Sequence, residues 1–149
     1  MEPKIIEFSK KTIAGYALKT SGCATTEVPA FWEAILADGR HKALHDADFI
    51  ASCTDYGVML DGEGDEYGYV VGCEIKEGVS VPEGFFICEI PGGTYAALET
   101  PLAKIGPTWG DIYEWANTNQ YKAKDSAFEL YDERMENEIA EVWLQIEKL

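Results

Sequence analysis

Positive charge is scarce in this chain. Its 149 residues carry 12 lysines and arginines against 27 acids, a formal net charge of −15. Nucleic-acid backbones are held by lysines and arginines that displace counterions, so this balance speaks against direct nucleic-acid binding. It speaks equally against docking on an anionic membrane. Long apolar runs are missing too: nothing approaches the roughly 18 continuous residues of a membrane span. Met1 to Lys11 lacks the apolar stretch of a signal peptide. The expectation is a cytoplasmic protein. Cysteine is limited to Cys23, Cys53, Cys73 and Cys88, with no CxxC pair. That removes zinc-knuckle and thioredoxin-type motifs, and in a reducing compartment the four read as free thiols packed as small apolar groups. GxSxG, GxGxxG and phosphate-loop patterns are also missing, and no cofactor is expected.

Apolar material is plentiful. At 46% hydrophobic and 12% aromatic, the chain has enough for a packed core, and its length suits one domain spanning 1–149. The punctuation divides it into two halves of similar plan, about 1–78 and 82–149. In the first, Ile5 to Lys19 reads as one strand, or as two pieces broken near Lys10-Lys11. Thr25-Thr26-Glu27-Val28-Pro29 reads as a helix entry, with cap-type threonines and proline in the first turn. Phe31, Trp32, Ile35 and Leu36 follow at helical spacing, and Gly39 ends the helix. Tyr56–Leu60 and Tyr67–Ile75 form a hairpin about an acidic, glycine-containing turn. In the second half, Gly84–Ile90 and Tyr95–Glu99 are extended. Pro107-Thr108 opens a helix to about Asn119 with Thr108 as its cap, and Phe128–Tyr131 is a short strand. The last segment is ambiguous. Met135, Ile139, Val142 and Ile146 fit a helix, while Val142, Leu144 and Ile146 alternate with Glu141, Trp143 and Gln145 as in a strand. Residue statistics favour the helix.

The chemistry-bearing positions follow from alternation. Glu129 and Tyr131 share one face of their strand and Phe128 and Leu130 the other. Glu141, Trp143 and Gln145 likewise share a face if their segment is extended. A carboxylate among aromatic rings is a receptor for a lipophilic cation: the rings offer apolar area and a negative π-face, and the acid a point charge. Trp32 reads more plainly as core. Trp109, Tyr113 and Trp115 share one amphipathic helix, and Tyr69 and Tyr95 are candidate walls. His41 and His45 stand four apart, but no zinc-protease glutamate or nearby cysteine accompanies them. A solvated helix end is preferred to a metal site. Asp61, Glu63, Asp65 and Glu66 read as a solvated hairpin tip rather than a calcium loop.

Several segments, in order, carry a family likeness: Val28-Pro29-Ala30-Phe31-Trp32, Tyr67-Gly68-Tyr69-Val70-Val71-Gly72, Ile90-Pro91-Gly92-Gly93-Thr94-Tyr95-Ala96, Ile112-Tyr113-Glu114-Trp115, Phe128-Glu129-Leu130-Tyr131-Asp132 and Glu141-Val142-Trp143-Leu144-Gln145-Ile146. Together they resemble the GyrI-like small-molecule-binding domain, the effector-binding domain of AraC-type and MerR-type transcription regulators. The likeness runs from Ile5 to Ile146. It implies an α+β fold, a pseudo-duplicated strand–helix–strand–strand with an antiparallel sheet, two main helices and a central ligand cleft. It makes the last segment a strand. It also implies a pocket glutamate in an aromatic setting that accepts hydrophobic or cationic small molecules. The ligand-binding set so expected is Glu129, Tyr131, Trp143, Tyr69, Tyr95, Tyr113, Trp109, Glu141 and Trp32. With no helix-turn-helix segment in the sequence, a free-standing member is expected, acting without its own DNA-binding part. Two further readings stand behind the binding one. The first is a hydrolase of electrophilic cyclopropane-type toxins that uses Glu129 and a pocket tyrosine. The second is a regulatory module whose acidic surface meets a basic protein partner.

Overall fold

The computed structural model describes residues 2–20, 24–61 and 67–149. Cys23 and most of the acidic hairpin tip, 62–66, lie outside the described residues. The first extended stretch is two strands, β1 (Lys4–Phe8) and β2 (Lys11–Thr20). Helices α1 (Ala24–Ala37) and α2 (Arg40–His45) follow, then strands β3 (Asp55–Asp61) and β4 (Tyr67–Glu74). The second half contains β5 (Phe86–Ile90), β6 (Gly93–Pro101), α3 (Ile105–Thr118), β7 (Tyr121–Tyr131) and β8 (Ile139–Lys148). The order strand–helix–strand–strand therefore occurs twice, as β2–α1–β3–β4 and as β6–α3–β7–β8. All eight strands belong to one antiparallel sheet in the order β1-β6-β8-β7-β3-β4-β2-β5. The two repeats meet where β7 pairs with β3, and each half lends an edge strand to the other, β1 pairing with β6 and β5 with β2.

The strand form of the last segment is explained by its place in the sheet. β8 lies between β6 and β7 and pairs with both, and its Val142, Leu144 and Ile146 are buried under α3. Two neighbours satisfying its backbone, with one apolar face covered, outweigh the modest helix preference of Glu, Leu and Gln. Met135, counted toward a helix, falls instead in a short 3-10 turn at Glu133–Asn137.

Two helix entries differ from expectation. α1 begins at Ala24, so Pro29 stands inside the helix rather than at its entry, where its missing N–H costs one hydrogen bond. Thr108 does not cap α3. It lies one turn in, donates its hydroxyl to the Lys104 carbonyl at 2.8 Å, and meets the Thr100 hydroxyl at 2.7 Å. Buried on both counts, it ties α3 to β6. Gly39 does end the first helix: its φ of 86° is left-handed backbone, which lets α2 turn away from α1.

The sheet has two differently covered faces. On one, Ile13, Val58, Val70, Ile90, Tyr95, Phe128 and Trp143 form a core to which, among the described residues, no helix contributes. On the other, α3 packs Ile112 and Ala116 on Ala96, Leu98, Val142 and Leu144. α1 packs Ile35 on Tyr69 and Val71. The helices cover different halves of the sheet and leave a gap over its middle, above β3 and β7.

Candidate functional site: a carboxylate in an aromatic cavity

The gap is a cavity of about 1180 Å³ whose floor is the middle of the sheet and whose walls come from α1, α2 and α3. That exceeds the usual few hundred to one thousand Å³ of a drug-sized site. Glu129 lies in it, 5% exposed. Tyr69 donates to its Oε1 at 2.8 Å, Tyr131 to the same oxygen at 2.6 Å, and Trp109 Nε1 to Oε2 at 3.1 Å. Trp32 Nε1 in turn donates to the Tyr69 hydroxyl at 3.0 Å, and its ring meets that of Tyr131 edge-on at 5.0 Å. Four elements thus converge on one carboxylate: α1 brings Trp32, β4 Tyr69, α3 Trp109, and β7 Tyr131 with Glu129 itself.

All four donors are neutral. Burial first, and then the Glu129 charge, push the Tyr69 and Tyr131 phenols well above their ordinary range, which keeps both protonated and donating. Among the described residues Glu129 has no ion-pair partner, and no lysine or arginine lines the cavity. The acids Glu33, Asp55, Asp132 and Glu133 do line it. Both oxygens of Glu129 accept hydrogen bonds, which fix the orientation of the carboxylate.

Gly57 makes this geometry possible, and nothing in its sequence setting marks it. β3 lies between β4 and β7, so Tyr69 must reach across it to meet Glu129. Gly57 pairs with Glu129 across β3–β7, and a Cβ there would stand 2.0 Å from the Tyr69 hydroxyl and 3.0 Å from Glu129 Oε1. The missing side chain is the channel through which the phenol crosses.

The other expected residues are placed elsewhere. Trp143, Tyr95 and Glu141 lie on the opposite face of the sheet, since Trp143 pairs directly with Phe128 and directly paired residues share a face. There Trp143 stacks on Phe128 at 5.2 Å and donates to Glu141 at 3.0 Å, while Arg134 also binds Glu141, at 3.1 Å. The Tyr95 hydroxyl donates to the Pro91 carbonyl at 2.8 Å and meets the Ser126 hydroxyl at the same distance. Tyr113 lies outside the cavity lining with its ring 6.3 Å from that of Trp109. The histidines expected at a solvated helix end line the cavity instead, both against Asp55. The Asp55 contact also raises the His41 pKa from its ordinary value, with burial opposing. Of the thiols, Cys73 is buried and Cys88 half-buried, but Cys53 is exposed and not the packed group expected.

The integron-associated effector-binding protein family matches residues 4–146. The chain belongs to this family. Effector binding is therefore its general role, and the GyrI-like resemblance holds across the fold. Among solved structures, SAV2435 bound to tetraphenylphosphonium superposes with a TM-score of 0.78 at 15% identity, covering 99% of this chain and 94% of that one. The EcmrR C-terminal domain gives 0.70 at 13% identity, covering 99% and 98%. An integron cassette protein of Vibrio cholerae gives 0.64 at 13% identity, covering 98% and 96%. At such identities these likenesses concern the fold. No curated protein matches by sequence. Among the described residues no helix is long and apolar enough to cross a membrane.

Proposed function

We propose that this effector-binding domain takes lipophilic organic cations in the cavity between α1 and α3, with Glu129 as the charge partner and Trp32, Tyr69, Trp109 and Tyr131 as its aromatic surround. The observation that carries the reading is a buried carboxylate held by three neutral donors and no cation. Hydrogen bonds orient such a charge without neutralising it, and in an apolar site it attracts a ligand cation more strongly than water would allow. The rings add apolar contact and cation–π attraction. The acidic lining and the chain's surplus of acids favour the same sign of ligand. SAV2435, which shares the fold, binds a lipophilic cation, and that too supports the reading.

A thermal-shift screen with matched lipophilic cations, neutral analogues and anions tests it, on the native protein and on Glu129→Gln. A ligand at 100 times its dissociation constant stabilises by about 2.7 kcal/mol, an upward shift of several degrees. Cations alone should shift the native protein, and the variant should lose that response. Equal responses from both proteins would remove Glu129 as the receptor.

A further inference from the structure

The two histidines of the chain, His41 and His45, stand one turn apart on α2, and Asp55 opens β3. The intervening residues bring the carboxylate back against both rings. His41 Nε2 lies 2.7 Å from Oδ2 and His45 Nε2 lies 2.7 Å from Oδ1. The ring centroids are 4.1 Å apart, and the three donor atoms all lie within 4.8 Å of one another. We propose that His41, His45 and Asp55 form a binding site for a divalent transition metal of the zinc class, in the wall of the effector cavity.

Three features support the site beyond proximity. The ligand chemistry is selective: two imidazoles with one carboxylate suit zinc and its neighbours, while magnesium and calcium prefer oxygen alone. The carboxylate is oriented from behind, because the buried Cys73 thiol donates to Asp55 Oδ1 at 3.3 Å. Such a supporting contact is usual behind metal-binding carboxylates. Finally, the three groups are reachable, since all of them line the cavity, with side-chain exposures of 20%, 24% and 11%. Among the described residues no lysine or arginine pairs with Asp55 to compete for it. Tetrahedral zinc holds its donors roughly 3.4 Å apart, between the 2.7 Å of the two imidazole–carboxylate contacts and the 4.8 Å within which all three donors lie. Three protein ligands leave a coordination position for water or for a donor atom of a molecule in the cavity.

The sequence pattern contained only two of the three ligands. Asp55 lies ten residues beyond His45, in a different element, and only the fold brings it into place.

Cobalt(II) and zinc(II) titrations of the full chain test the proposal. One equivalent of cobalt(II) should bind and give visible ligand-field bands without the intense absorption of a thiolate ligand. Zinc(II) should displace it and magnesium or calcium should not. Asp55→Asn and His45→Ala, each checked for native circular dichroism, should weaken binding by more than about a hundredfold, beyond the ten- to hundredfold typical of supporting contacts. Cys53→Ser should bind as the native protein does. Because the chain has two histidines, imidazole nitrogen–proton spectra of the unmodified protein give a check independent of any variant: both rings should shift together and saturate at one equivalent of zinc. No stoichiometric uptake, thiolate absorption, undiminished binding in Asp55→Asn, or imidazole signals that stay fixed would each overturn the proposal.

Discussion

Phe128 and Glu129 are adjacent in β7, and their side chains leave the sheet on opposite sides. Phe128 is fully buried, with the rings of Phe8, Tyr95 and Trp143 centred within 5.5 Å. Glu129 is almost as buried, yet it borders a cavity. Both faces are rich in aromatic residues. On the helix-free face the rings pack on one another, and the polar tips of Trp143 and Tyr95 are satisfied by Glu141, Pro91 and Ser126. On the helix face Tyr69, Trp109 and Tyr131 turn their polar tips toward a single carboxylate, and Trp32 donates to Tyr69 behind them. The same residue types make a core where they fill space and line a cavity where the helices stand apart. The spacing of α1 and α3 decides which.

Substitutions that act on one face only should separate the two roles. The largest effect is expected from Phe128→Ala. Emptying the centre of the helix-free core should cost about 3–5 kcal/mol in a denaturant melt, with little preference between cationic and neutral ligands gained or lost. Gly57→Ala comes next. Its Cβ meets the Tyr69 hydroxyl at 2.0 Å, so the phenol must leave Glu129 or the strand must shift. A loss of about 1–3 kcal/mol in stability is expected, together with weaker cation binding in titration calorimetry. Tyr131→Phe removes one donor to a charged acceptor and should cost about 1.5–3 kcal/mol, with the ring and the cavity shape retained. The smallest effect concerns reactivity rather than stability. In a Cys23→Ser background, a thiol reagent should modify exposed Cys53 first. Cys88, its thiol pushed up to about 11 by burial, and Cys73, raised further by burial and by Asp55, should react only on unfolding. Rapid labelling of Cys73 would mean that the cavity wall opens.

Much of this comparison is legible in the sequence, and where it is not, the reason is geometric. Alternation in Phe128-Glu129-Leu130-Tyr131 separates the two faces correctly, because a strand has a period of two. The same rule groups Glu141, Trp143 and Gln145 correctly in β8 but gives no way to choose their side. The choice depends on pairing, and Phe128 opposite Trp143 puts that group on the helix-free face. The bulge in β7 between Ala123 and Ala127 was equally invisible. Four residues there span two of β8, an even difference that leaves the faces unchanged beyond it. Trp109 shares an amphipathic helix with Tyr113 and Trp115, and periodicity alone does not say which ring meets Glu129. Gly57 and Asp55 were missed because their parts depend on neighbours from other strands and helices: the former is a crossing point for Tyr69, the latter a partner for two histidines.

The most direct test of the central claim is a thermodynamic cycle by titration calorimetry. Tetraphenylphosphonium and a neutral analogue of matched size are each titrated into the native protein and into Glu129→Gln. If the buried carboxylate acts as charge partner, the variant should lose about 2 kcal/mol for the cation, roughly thirtyfold in affinity, and little for the neutral compound. Equal losses for the two ligands, or none for the cation, would contradict the account and leave Glu129 a structural hub for its tyrosines and tryptophan.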